Sequence, residues 1–232
     1  SDLQGIVNSA GTYSIKGSLL VAFSRWIARL ADHCIIVSER LRNYLPSGIN
    51  AEVIPMGIDL LKFRPMDKMV CRQHLGLELE KTYILFISNP ERTEKRYLLA
   101  KDTVEKLKAR QRNGNIELLV VSNQPHERIP YYLNACDVLL LTSAHEGSPV
   151  IVKEALACNL PIVATDVGDI RQRIGSIDGC YICIDDSPES ISKNLELALS
   201  KQKPIDGRRN VLDMGWDMIS KKTISLYKKC LP

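Results

Sequence analysis

No apolar run in this chain of 232 residues approaches the ~18–20 needed to cross a bilayer as a helix. The opening residues, Ser1-Asp2-Leu3-Gln4-Gly5, have neither the basic start nor the apolar core of a signal peptide. Charge of one sign is also lacking. Lys and Arg total 31 against 27 Asp and Glu, and a net charge of +4 is too mild to argue for nucleic acid. Seven cysteines, odd in number and irregular in spacing, fit reduced thiols in a cytosolic protein rather than a disulfide framework. The one close pair, Cys180 and Cys183, brackets Tyr181-Ile182 without the second pair or nearby histidines that a zinc site needs. No convincing Asp-x-Asp metal motif occurs anywhere.

What is present is ordinary for a globular protein. The chain is 45% hydrophobic and 25% charged, which excludes disorder, a collagen-like repeat and a disulfide-stapled miniprotein. A mass of 26.1 kDa means one large domain, or one domain with part of another. The last 32 residues carry eight Lys or Arg and three Asp, so the remainder has a net charge of −1. A basic, amphipathic C-terminus suits either a solvated helix face, the preferred reading, or peripheral contact with an anionic membrane surface.

From Tyr83 onward, short apolar runs alternate with helical stretches. Strands are predicted at 83–87, 116–121, 137–142, 161–165 and 181–184, with helices at 98–112, 129–136 and 150–158. A further helix starts near Pro188, with Asp186 as its expected N-cap. Strands buried on both faces and separated by helices predict an α/β fold: a Rossmann-like parallel sheet flanked by helices. The first ~60 residues stand apart, offering a helix at about 16–31, one strand at 34–37, a short helix from Ser38 and an extended 53–55. So little structure cannot bury a core alone. It either packs on the later domain or, as preferred here, is the tail of another domain.

The segment His145-Glu146-Gly147-Ser148-Pro149-Val150-Ile151-Val152-Lys153-Glu154-Ala155-Leu156-Ala157 carries the chemistry. It follows the 137–142 strand, at the edge where open parallel sheets bind ligands. Gly147 lets a backbone approach closely, and the helix start favours an anion. Glu154 can accept hydrogen bonds from vicinal hydroxyls such as those of ribose, and Glu146 from another hydroxylated group.

This segment, continued by Cys158-Asn159-Leu160-Pro161-Ile162-Val163-Ala164-Thr165-Asp166-Val167-Gly168-Asp169, closely resembles the retaining family-4 glycosyltransferases of the GT-B fold. Val53-Ile54-Pro55-Met56-Gly57-Ile58-Asp59 followed by Phe63-Arg64-Pro65 resembles their interdomain linker. Ile129-Pro130-Tyr131-Tyr132-Leu133-Asn134-Ala135-Cys136-Asp137 resembles the helix and strand before their glutamate motif. The resemblance implies an enzyme that moves a sugar from a nucleotide-sugar donor, of the UDP-sugar kind, to a glycan or lipid-linked acceptor, with no cofactor and no metal. Glu154 would hold the ribose and Glu146 the transferred sugar, with the backbone of Gly147, Ser148, Pro149 and Val150 near sugar and diphosphate. Lys95 matches a diphosphate-binding lysine. The family's arginine falls at Asn89 or Pro90, and Arg92 is the candidate replacement. Asn159 stands where many members have Gly, and should end its helix equally well. Arg96 reads as a surface residue, His145 as a loop histidine, and 166–169 as a helix cap.

By the same resemblance, 1–52 is a remnant of an N-terminal acceptor-side domain, 53–66 the linker, 67–210 the donor-binding domain and 211–232 an amphipathic helix crossing back. Most of the acceptor half, and a histidine near the reacting centre, would then lie outside this chain. The apolar side chains Leu19, Val21, Phe23, Trp26, Ile27 and Leu30 would lack their usual sheet. That predicts self-association or an N-terminal partner, and a nucleotide-sugar-binding module unable to transfer alone as the alternative function.

Overall fold

The computed structural model describes residues 15–111, 115–201 and 204–230. Residues 1–14, the end of the predicted 98–112 helix, and 231–232 at the end of the 211–232 segment therefore lie outside the described residues. Five parallel strands form the main sheet: β3 (Thr82–Ile87), β4 (Ile116–Val121), β5 (Val138–Leu141), β6 (Ile162–Thr165) and β7 (Tyr181–Cys183). They lie in the order β4-β3-β5-β6-β7, a doubly wound arrangement that reverses direction between β3 and β5. Alternate residues face opposite layers. Tyr83, Leu85, Leu139, Leu141, Ile162 and Ala164 pack with α4 (Ile129–Ala135), α5 (Val150–Ala157) and α6 (Ile170–Ile174). Ile84, Phe86, Val138, Leu140 and Val163 pack with α3 (Tyr97–Gln111) and α7 (Pro188–Ser200) on the other face. The predicted α/β fold is the observed one.

Local capping refines several boundaries. Ser187, not Asp186, caps α7: its side chain accepts from Ser190 N, and Pro188 takes the first helical position. Asp186 pairs with Arg96 instead. Asn159 adopts φ +58° just past α5, as expected, and its Oδ1 accepts from Arg208 N at 2.8 Å. One helix escaped the sequence reading: α2 (Lys68–Leu75), capped by Asp67 and closed by Gly76 at φ +69°.

The first part of the chain holds α1 (Ile15–Leu30), β1 (Cys34–Ile36), a 3₁₀ turn (Glu39–Tyr44) and β2 (Ala51–Val53). The extended piece near Val53 is thus a second strand, paired parallel to β1, where the sequence offered only one. Ile54 N also donates to Ile36 O at 2.9 Å. On α1, Leu19, Phe23, Trp26, Ile27 and Leu30 are exposed, while Val21 is half-buried.

Between β2 and α2 the chain is fastened to the main domain. Arg208 donates to the carbonyls of Leu60, Phe63 and Ala157 at 2.6–2.9 Å. Lys153, fully buried on α5, donates to Met56 O at 3.0 Å. The C-terminal segment is not one continuous helix. A 3₁₀ turn (Arg208–Met214) is broken at Gly215 before α8 (Trp216–Cys230). Ile58 bridges to Gly215, Trp216 and Ile219 close on Gly57, and Lys229 reaches Glu52 at 3.9 Å. Among the described residues no helix is long and apolar enough to cross a membrane.

Burial lowers the Lys153 ammonium to about 8, opposed by the Asp169 carboxylate. Above that value the folded state gives up a proton that the unfolded chain still holds, so stability rises with pH. From pH 8 to 9 the wild type should gain about 1 kcal/mol relative to Lys153→Met, read from paired urea titrations. Buried thiols such as Cys180 and Cys183, both pushed up to about 11, act in the opposite direction but equally in the two proteins. A constant difference between the proteins across this window refutes the assignment.

Candidate functional site

The C-terminal ends of β3 and β5 open into loops that meet at the reversal of strand order. From the β3 loop comes Lys95, and from the β5 loop Glu146. Their side chains pair directly, and Ser143 Oγ donates to the same glutamate oxygen at 2.8 Å. Both groups are largely buried.

Arg96 locks the two loops together. It sits at φ +51°, donates to Thr142 O at 2.6 Å and Ser143 O at 3.0 Å, and pairs with Asp186. It is therefore a structural clamp and not the surface residue the sequence suggested. Ala144 N donates to Glu94 O at 2.8 Å, and Thr142 Oγ1 to Lys95 O at 2.8 Å. Arg92 stays outside this arrangement. Its side chain is 57% exposed and paired with Glu94, so a role on the ligand requires it to swing away.

The segment 146–149 leads straight into α5, whose first turn is Val150 onward with Pro149 at the cap position. Pro149 has no side-chain acceptor to offer the free N–H groups of that turn. Ser148 does not face a ligand with its hydroxyl, which donates to Asp169 Oδ2 at 2.8 Å. Asp169 occupies the cap position of α6, but its carboxylate binds Ser148 and Arg173 rather than capping. Gly168, at φ +56°, lies so close that a Cβ there would come within 2.7 Å of Gly147 O. The space over Gly147 is occupied from the first part of the chain: a Cβ would meet Val37 at 3.3 Å and Leu41 at 3.7 Å. Arg40 adds a bond to Asp166 O at 3.2 Å.

Glu154, one turn into α5, has a side chain only 6% exposed. Its partner is a residue the sequence did not single out. His126, in the loop after β4, places Nε2 2.8 Å from Glu154 Oε1. Lys62 stands 3.2 Å from the other ring nitrogen, and Phe63 packs on the ring at 5.2 Å between centroids. Burial raises the Glu154 carboxyl, and His126 and then Lys62 and Lys153 oppose that rise. His145, read as a loop histidine, makes no hydrogen bond to these groups. A cavity of about 810 Å³ lies at the opposite edge, beside Thr82, Asn134, Asp137 and Pro161. Asn134 is spent there on Met66 N and the carbonyls of Arg64 and Pro130.

The doubly wound sheet has a paired lysine and glutamate at its switch point, where open α/β sheets bind ligands, and a second glutamate on the next helix. The family of glycosyl transferases group 1 matches residues 72–211, more than half of the chain, and the chain belongs to that family. A curated relative is the Bacillus subtilis glycosyltransferase named for teichuronic acid biosynthesis, TuaC, 29% identical over 66% of this chain and 43% of its own length. Sucrose-phosphate synthase from Thermosynechococcus elongatus superposes with a TM-score of 0.76 at 17% identity, over 97% of this chain and 64% of that one. Anabaena HepE, solved with UDP and glucose, gives 0.72 at 13% identity, over 91% of this chain and 67% of that one. These likenesses place the chain in the GT-B fold. The chain spans about half the length of the curated relatives it matches.

Proposed function

We propose that this chain is the nucleotide-sugar-binding part of a retaining glycosyltransferase, using a UDP-sugar and passing the sugar to a glycan or lipid-linked acceptor. The pairing of Lys95 with Glu146 at the switch point, followed in the same segment by the start of α5 and the buried Glu154, carries the reading. The diphosphate meets Lys95 and the N–H groups opening α5 at Val150, so a cation and a helix terminus offset the charge that builds on the leaving group. Glu146, already held by Lys95 and Ser143, accepts from hydroxyls of the transferred sugar. Glu154 accepts from the ribose diol. Gly147, Ser148 and Pro149 contribute backbone alone.

Lys95→Ala separates this reading from a plain surface ion pair. It should weaken UDP about tenfold while changing uridine little, since only UDP carries the diphosphate. Calorimetric titration of both ligands checks it, and equal losses for the two refute the phosphate role. Binding that disappears with chelator while the protein stays folded overturns the metal-independent account of the leaving group.

A further inference from the structure

His126 links three parts of the fold that the ribose reading does not itself connect. Its ring lies between Lys62, in the segment before α2, and Glu154 on α5. A lysine ammonium only donates hydrogen bonds. Nδ1 facing Lys62 at 3.2 Å must then be the acceptor, which leaves the proton on Nε2 and directs it at Glu154 Oε1, 2.8 Å away. The tautomer is fixed by its neighbour on one side and spent on the carboxylate on the other. Phe63 packs against the ring, and Lys62 is itself held by Glu127 at 3.5 Å.

A cis-diol needs acceptors. A buried carboxylate that takes up a proton loses the charge that strengthens its bonds to both hydroxyls. The ionised group offers about four lone-pair sites, of which His126 uses one. We propose that His126 is the positioning residue of the ribose site, holding Glu154 ionised and oriented so that the site prefers ribose over 2′-deoxyribose. The proposal rests on Glu154 being the ribose acceptor. The groups facing Glu154 support it: the hydrogen bond from His126 first, then the Lys62 and Lys153 ammonium groups, all opposing the effect of burial.

The test is calorimetric titration of UDP and 2′-deoxy-UDP into the wild type and the variants His126→Ala, His126→Gln and Glu154→Ala, each first checked by thermal melting. His126 is 54% exposed, and the melting check reports any cost of losing its ring contact with Phe63. The wild type should favour UDP about tenfold, one hydrogen bond to a charged group. In His126→Ala the preference should fall to within about twofold, through weaker UDP binding with 2′-deoxy-UDP little changed. His126→Gln, which keeps an N–H donor, should restore most of it. A merely structural role predicts equal weakening of both nucleotides, and that result overturns the proposal. So does a preference that survives His126→Ala but disappears in Glu154→Ala, an outcome that leaves the ribose reading standing. A wild type without preference, or a preference that survives Glu154→Ala, overturns both.

Discussion

Titrated with UDP, the Glu154→Ala protein should bind about 1.5–3 kcal/mol more weakly than the wild type, the range for hydrogen bonds to a charged group. Glu154→Gln should lose less, because its amide oxygen still accepts from one hydroxyl. The loss belongs to the ligand and not to the fold: removal of the carboxylate leaves His126 half in solvent with Lys62 still beside it. Uridine should suffer as much as UDP, the reverse of the pattern expected for Lys95→Ala. An unchanged affinity in the alanine variant sinks the ribose assignment.

Arg72→Ala should cost about 3–5 kcal/mol of stability, the cost of stripping one partner from a buried pair. The guanidinium is 5% exposed, donates to Ala135 O and Asp137 Oδ2 at 2.9 Å each, and also reaches Leu79 O. It lies 5.2 Å over the Tyr83 ring. Asp137 is the junction, since it also takes Tyr83 N at 2.7 Å and Lys68 at 2.9 Å. Without Arg72 two carbonyls are left bare and the start of β5 is loosened, one strand length below Glu146. Arg72→Lys should recover only part of the loss, because an ammonium cannot reproduce the fork. Urea unfolding measures this, and a cost below about 1 kcal/mol would show that water replaces the guanidinium.

The site was legible in the sequence where its residues are consecutive and illegible where topology assembles it. Glu146 and Glu154 share one loop and the helix that follows, so their spacing alone puts them at the sheet edge. His126 is 28 residues from Glu154 and 64 from Lys62, and no local period joins them. Arg92 was read for its charge, yet Glu94 sits two positions away and takes that charge first. Arg96 was dismissed for lying in a charged run, although its left-handed backbone is what turns its side chain inward to the β5 loop. β2 is three residues with Glu52 in the middle, too short and too polar to show alternation. The α7 cap was legible but misread: Pro at the first helical position assigns the cap to the residue just before it, Ser187.

The segment between the two sheets behaves as a splint with a single joint. Ile54 belongs to the first sheet through its bond to Ile36, while Met56 is grasped by Lys153, and Ile58, Leu60 and Phe63 are gripped beyond it. Only Pro55 lies between the two grips. Its ring locks φ near −65° and restricts the residue before it. With that φ fixed, a swing of the first sheet against the second is left the few torsions from Ile54 to Met56, and it must also part Arg40 from Asp166 and Val37 and Leu41 from Gly147. Such motion is a short, stiffened hinge with latches to release, not the loose wobble of a tether.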